Sequence, residues 1–270
     1  MKRIHALAVA AVAAMCPLAS SAAQIAVIGD AVFARDAGLG ESYQARLQVR
    51  NTTDTPQEAR IYQTDYSFAA DGRTFYSAAG SMSRSNAKWV ACSPTYVMVP
   101  AATTVPVVCT IAVPKDSSLI GTYWSMVMVE PIVPGSVNSR KPANARVDFG
   151  LSVNTRYGTQ IATNIGASGA SKLAFDSLTA TTAPSGDRGL RFDFINTGER
   201  AHRFVMSLEL YNEAGELVKK ASQSRGLLYP GTAARQDFDV GALPHGAYTA
   251  VLVADAGGDQ VFGGQFKVAY

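Results

Sequence analysis

The chain is 270 residues long, 47% hydrophobic and 17% charged, with 24 Lys and Arg against 21 Asp and Glu. Apolar content this high and charge this low exclude a disordered tail, and 23 Gly with 12 Pro are too few for a collagenous or low-complexity chain. Lys2 and Arg3 fall in a segment read below as removed, leaving 22 basic against 21 acidic residues, a balance that gives no electrostatic case for a nucleic-acid partner.

Residues 1–23 divide into a basic start, an apolar run from Ala6 to Met15, and a small-residue stretch ending Ser21-Ala22-Ala23. This pattern predicts a secretory signal cut before Gln24. The apolar run is well short of the roughly 20 residues that span a bilayer, so no stable membrane insertion is expected. Met15 stands before Cys16, where a lipid-modified N-terminus would need a small residue.

From Gln24 onward the chain reads with period 2. Tyr43, Ala45, Leu47 and Val49 alternate with Gln44, Arg46, Gln48 and Arg50, a strand with one dry and one wet face. Similar strands are predicted at Arg60 to Tyr66, Tyr96 to Val99, Val105 to Val113, Thr122 to Val129 and Val147 to Val153, separated by turn signals such as Asn51-Thr-Thr-Asp54 and Ala70-Asp-Gly72. A second series runs from Lys172 to Val268 in seven short strands. No amphipathic run of three helical turns follows residue 24. The prediction is all-β: two tandem immunoglobulin-like β-sandwich domains, residues 24–162 and 172–270, joined by a Gly-, Ala- and Ser-rich linker at 163–171. A weak repeat supports kinship between them. Gly121-Thr-Tyr123 and Gly246-Ala-Tyr248 each precede the penultimate strand of a domain, as a tyrosine corner does.

After export the chain keeps Cys92 and Cys109. An even count in an oxidising compartment favours a bridge, and a hairpin turning at Pro100-Ala101 would set the two nearly opposite; two buried free thiols are the alternative. A catalytic dithiol would more commonly be a close Cys-x-x-Cys, and none is present.

His202 and His245, the two histidines left, sit in separate connections, and no nucleophile elbow, phosphate-binding Gly loop or zinc-protease motif occurs. The chain reads as a binding protein without cofactor or metal, not an enzyme. The strand that stands out is residues 145–156, where Val147, Phe149, Leu151 and Val153 share one face. Burying four such side chains is worth roughly 1.5 to 3 kcal/mol each. Either they fill their own domain's core, or another chain covers them while pairing with a free strand edge.

Two immunoglobulin-like domains behind a signal peptide, with Lys88-Trp-Val-Ala-Cys-Ser-Pro94, Val97-Met-Val-Pro100 and Gly121-Thr-Tyr-Trp124, resemble the periplasmic chaperones of chaperone-usher pilus assembly. The resemblance implies a periplasmic protein that binds a secreted pilus or surface subunit by strand addition through Val147, Phe149, Leu151 and Val153, with an outer-membrane usher as a possible further partner. It also implies a basic pair that anchors the subunit's terminal carboxylate, with Arg35 and Arg156 at plausible positions. The sequence departs from the family in several places. The first strand lacks a Thr-Arg pair, Arg156 replaces the usual Lys, and Tyr157-Gly-Thr-Gln160 stands where Arg-Pro is common. The Gly-Thr-Tyr-Trp strand resembles equally a structural or adhesive β-sandwich protein of the cell surface.

Overall fold

The computed structural model describes residues 24–132 and 155–270. Residues 1–23, read as the signal, lie outside the described residues, as do Val147, Phe149, Leu151 and Val153. The described chain is all-β, two tandem immunoglobulin-like sandwiches. Its one helical element among the described residues is a 3-10 turn at Ala87–Trp89.

The first sandwich is built from β1 (Ile25–Ile28), β2 (Val32–Ala37), β3 (Ser42–Asn51), β4 (Gln57–Phe68), β5 (Thr74–Ala78), β6 (Val90–Ser93), β7 (Tyr96–Val99), β8 (Thr104–Ala112), β9 (Gly121–Ile132) and β10 (Tyr157–Ile165). One sheet has the order β1-β3-β8-β6. The other has the order β2-β10-β9-β4-β5, with β7 also paired to β4. Between them lies a core to which β3 sends Tyr43, Ala45, Leu47 and Val49, the alternating residues that the sequence assigned to its dry face. β9 shows no such alternation, because its inner residues Val127 and Val129 join this core while Trp124, Met126 and Met128 are buried on its other face.

The chain opens by changing sheets. β1 pairs antiparallel with β3, whereas β2, only three residues further on, pairs parallel with β10, from Gln160 opposite Val32 to Ile165 opposite Ala37. Gly29 permits the change with a φ of 122° that a side chain would resist.

The second sandwich contains β11 (Leu173–Thr182), β12 (Arg188–Asn196), β13 (His202–Tyr211), β14 (Leu217–Leu228), β15 (Ala233–Gly241), β16 (Ala247–Asp255) and β17 (Val261–Ala269), in sheets β11-β12-β15 and β14-β13-β16-β17. Phe192, Phe194, Phe204, Leu208 and Leu252 are at its centre. Kinship between the halves is written in hydrogen bonds. Buried Asn51, ending β3, donates to the carbonyls of Thr55, Val99 and Pro100 and accepts from the Thr53 amide. Buried Asn196, ending β12, donates to Arg200 and Leu228 and accepts from Gly198. The tyrosine corner forms at Tyr248, whose hydroxyl donates to the Pro244 carbonyl at 2.8 Å. Tyr123 instead packs its ring on Trp89, with Arg84 over its face.

Cys92 and Cys109 are bridged and stand opposite each other in the β6–β8 ladder. They do not flank a simple hairpin. The intervening β7 leaves this sheet to pair with β4, so the chain visits the opposite layer before returning as β8. Strand β10 runs through Ile165, three residues into the stretch read as linker, and alternates Thr159, Ile161, Thr163 and Ile165 into the interior.

Closing 17 residues of sequence separation by a bridge is worth about 3 kcal/mol in the chain-entropy model. Replacing both Cys92 and Cys109 by Ala should lower unfolding stability by that order in urea titrations, and reductant should then have no further effect. An unchanged midpoint would show that the bridge contributes nothing.

Candidate functional site

Two features of the sheet containing β10 combine: a covered outer face and an uncovered backbone edge. The face points toward the second sandwich. Tyr66, Trp124, Met126, Met128 and Ala162 from the first sandwich and Ala201 and Tyr229 from the second form one buried cluster. Tyr229 is its centre, stacked on Trp124 at 4.7 Å and edge-on to Tyr66 at 5.7 Å. Its hydroxyl donates to Gln160 of β10 at 2.8 Å, and the Trp124 indole donates to the Tyr66 carbonyl. Burial pushes both phenols well above the usual tyrosine value, so these two rings stay uncharged at any physiological pH.

Polar contacts reinforce it. The Thr122 amide donates to the Glu199 carbonyl, the Ala201 amide to the Thr122 hydroxyl, and Arg200 donates to the carbonyls of Gly166 and Ser168 while pairing with Asp36 on β2. Gly121 lies so close to the Glu199 backbone that a Cβ would collide with it, and a Cβ on Gly169 would collide with Gly121. The loop before β6 is tied in from the other side. Buried Asp65 accepts from the amides of Gly80 and Met82 and from the Ser85 hydroxyl, and Arg84 of that loop pairs with Glu199.

The edge is at the start of β10. Residues 157–159 pair with β9, at Val129, Met128 and Val127, but β2 reaches only as far as Gln160. The Gln160 amide donates to the Ala31 carbonyl, so by strand alternation the N–H and C=O of Gly158 point the same way. Among the described residues no strand lies there to receive them. Gly158 is exposed, and the flexible ends of the Met126 and Met128 side chains lie across the side where a Cβ would project. Around this end of the face sit Tyr62, Arg156, Arg60 with its carboxylate partner Glu130, and the exposed Tyr96 and Met98 of β7.

The predicted basic pair does not converge. Arg35 lies on β2 opposite Thr163, pairs with Glu41 at 3.3 Å and covers the Tyr43 ring. Arg156 donates to the Tyr62 hydroxyl on the outer face. Seven strand residues separate Arg156 from Thr163, about 23 Å at ~3.3 Å per residue, so one carboxylate cannot bridge the two arginines. The β2–β10 register sets them apart.

His202 opens β13 instead of lying in a connection, and His245 lies in the connection between β15 and β16. His202 hydrogen-bonds Ser171 at 2.7 Å, and burial, aided by Arg200, holds its pKa below the usual histidine value. His245 meets Arg188 at 3.3 Å. Neither contact involves a carboxylate, and among the described residues no group of three or more His, Cys, Asp or Glu could hold a metal ion. No helix among them is long and apolar enough to cross a membrane.

Removing the Tyr229 ring should loosen the joint. Tyr229→Ala should cost about 3 to 5 kcal/mol and split a single calorimetric transition into two, whereas Tyr229→Phe, which keeps the ring and loses the hydroxyl with its Gln160 bond, should cost about 1 kcal/mol. Equal effects of the two variants would contradict the packing role of the ring.

No family model matches the chain, and neither does any curated protein. Solved structures similar to it include a chaperone–tip adhesin complex of CFA/I fimbriae (12% identity, TM-score 0.46, covering 90% of this chain and 98% of that one). Two others are the class 5 fimbriae chaperone CfaA (14%, 0.44, 89% and 98%) and the CsuC–CsuE chaperone–tip adhesion subunit pre-assembly complex from archaic chaperone-usher Csu pili of Acinetobacter baumannii (13%, 0.42, 89% and 98%).

Proposed function

We propose that this chain is a periplasmic chaperone-like protein that holds an exported pilus or surface subunit by β-strand addition. The observation that carries the reading is the edge of β10 at residues 157–159, unpaired on that side among the described residues and shortly after the alternating run of Val147, Phe149, Leu151 and Val153. A guest strand laid along this edge would gain main-chain hydrogen bonds from groups such as those of Gly158, and its own apolar groove would take the alternating side chains. In this mechanism the ladder supplies affinity for any extended segment, and the side-chain run supplies choice of guest. Binding needs no cofactor and no covalent step.

The joint supports the same reading physically. Tyr229, Trp124 and Tyr66 fix the second sandwich against the face behind β10, so the edge is presented by a stiff two-domain frame instead of a lone sheet free to twist away. Arg156 sits at the start of that edge and is free of carboxylate hydrogen bonds among the described residues, which makes it, without Arg35, the cation available to an anionic group of the guest. A usher partner would have to be met elsewhere on the surface.

Co-expression with a secreted β-rich subunit is the test. The chain should be recovered as a one-to-one complex, and Phe149→Asp or Leu151→Asp should abolish the complex while leaving the thermal transition of the free chain unchanged. If both variants unfold the free chain as a core substitution does, those side chains serve its own interior, and the strand-addition reading is wrong.

A further inference from the structure

The sheet that holds β10 near one margin ends at the other in β5, in the order β2-β10-β9-β4-β5. β5 reads Thr74-Phe-Tyr-Ser-Ala78, with no charge and no proline. Among the described residues it is the one strand whose every residue is exposed, and none of them joins a core cluster. Phe75 and Tyr76, 48% and 57% exposed, lie on opposite faces of it. The other margins are guarded. β2, β11, β14, β15 and β17 carry charge, for example Asp36, Asp176, Lys219, Asp237 and Lys267, and the uncharged β1, β6 and β7 each bury a side chain in the core. β5 has neither protection.

Its free backbone groups can be read from the ladder. The hairpin between β4 and β5 closes with the Ala69 amide donating to the Arg73 carbonyl at 3.0 Å, and Gly72 turns the chain with a φ of 84°. From there the register runs from Phe68 opposite Thr74 to Thr64 opposite Ala78, and hydrogen-bonded pairs alternate with non-hydrogen-bonded ones. Phe75 and Ser77 therefore turn their N–H and C=O toward β4, while Thr74, Tyr76 and Ala78 turn theirs outward. Among the described residues no strand lies outside β5 to meet them, although the Ala78 carbonyl also accepts from the Ser81 amide.

We propose that β5 pairs antiparallel with β5 of a second copy of this chain, about a two-fold axis at Tyr76. The strand's own sequence selects that occupant. With Tyr76 at the axis, the two Tyr76 residues exchange both their hydrogen bonds, and each Thr74 does so with Ala78 of the other copy. Every outward group is then used. On the outer face the two Tyr76 rings become cross-strand neighbours, and on the other face Phe75 stands opposite Ser77 and diagonal to the second Phe75, within reach of an aromatic ring. An uncharged strand brings no like charges together. β10 is at the far margin of the sheet, so its edge stays open in the dimer, and the inference does not depend on the strand-addition reading. Five residues a side form a small interface of the weak, transient class, so the dimer should be half formed at about 100 μM chain.

The test uses the full mature chain with its disulfide intact. Sedimentation from 5 μM to 1 mM should show a reversible monomer–dimer equilibrium, and Tyr76→Lys, which sets two ammonium groups side by side, should abolish it without moving the thermal transition at low concentration. Raising the concentration should slow exchange of the Thr74, Tyr76 and Ala78 amides and leave Phe75 and Ser77 unchanged. Register is checked by cysteines: Phe75→Cys and Ser77→Cys chains should form an intermolecular disulfide when mixed under oxidised glutathione, and neither should do so alone, because the diagonal pairs are too far apart for a bridge. A chain still monomeric at 1 mM, either variant cross-linking alone as fast as the mixture, or a dimer that protects Gly158 instead would overturn the proposal. So would protection of these three amides in a chain that stays monomeric until a secreted subunit is added, which would assign the edge to a foreign strand.

Discussion

The first strand's change of sheets constrains everything else in the leading sandwich. β1 completes one layer beside β3. Three residues later β2 must complete the other beside β10, and it can begin pairing only at Val32 opposite Gln160. Among the described residues, β10 is therefore flanked along most of its length and open at its beginning. An antiparallel partner running the full strand would have left no such gap, and the edge would be an ordinary sealed one.

From that gap the division of labour across the molecule follows. The lower part of the outer face, from Met126 to Trp124 and across to Ala162, is consumed by the second sandwich through Tyr229, so its large side chains are structural. The upper part, around Gly158 and Arg156, is exposed. The far sheet contributes its inner residues to the core and keeps its outer face wet. The first sandwich thus presents the edge, and the second sandwich braces it.

How far the sequence disclosed this depended on whether each strand had one wet face. β3, β7, β8 and β16 alternate cleanly and could be placed almost to the residue, and so could the cross-ladder position of Cys92 and Cys109. β10 was missed because both its faces are covered: Thr159, Ile161 and Thr163 by the core, Gln160 and Ala162 by the joint with the second sandwich, so no polar alternation marks it. β2 was missed because Arg35 and Asp36 break its apolar signal to make contacts with Glu41 and Arg200 that only the fold brings near. The distance between Arg35 and Arg156 was illegible for a related reason. Spacing identifies a strand, but only register says that Arg35 stands beside Thr163, far from Arg156.

The most direct test of the account is the exchange rate of the Gly158 backbone amide, measured by NMR beside that of Gln160 two residues on. In the free chain Gly158 should exchange as fast as a solvent-exposed amide while Gln160, bonded to the Ala31 carbonyl, is protected, and addition of a bound subunit should slow Gly158 to the level of its neighbour. A Gly158 amide already as protected as Gln160 in the free chain would mean that the edge is occupied from within, and the account of capture would not stand.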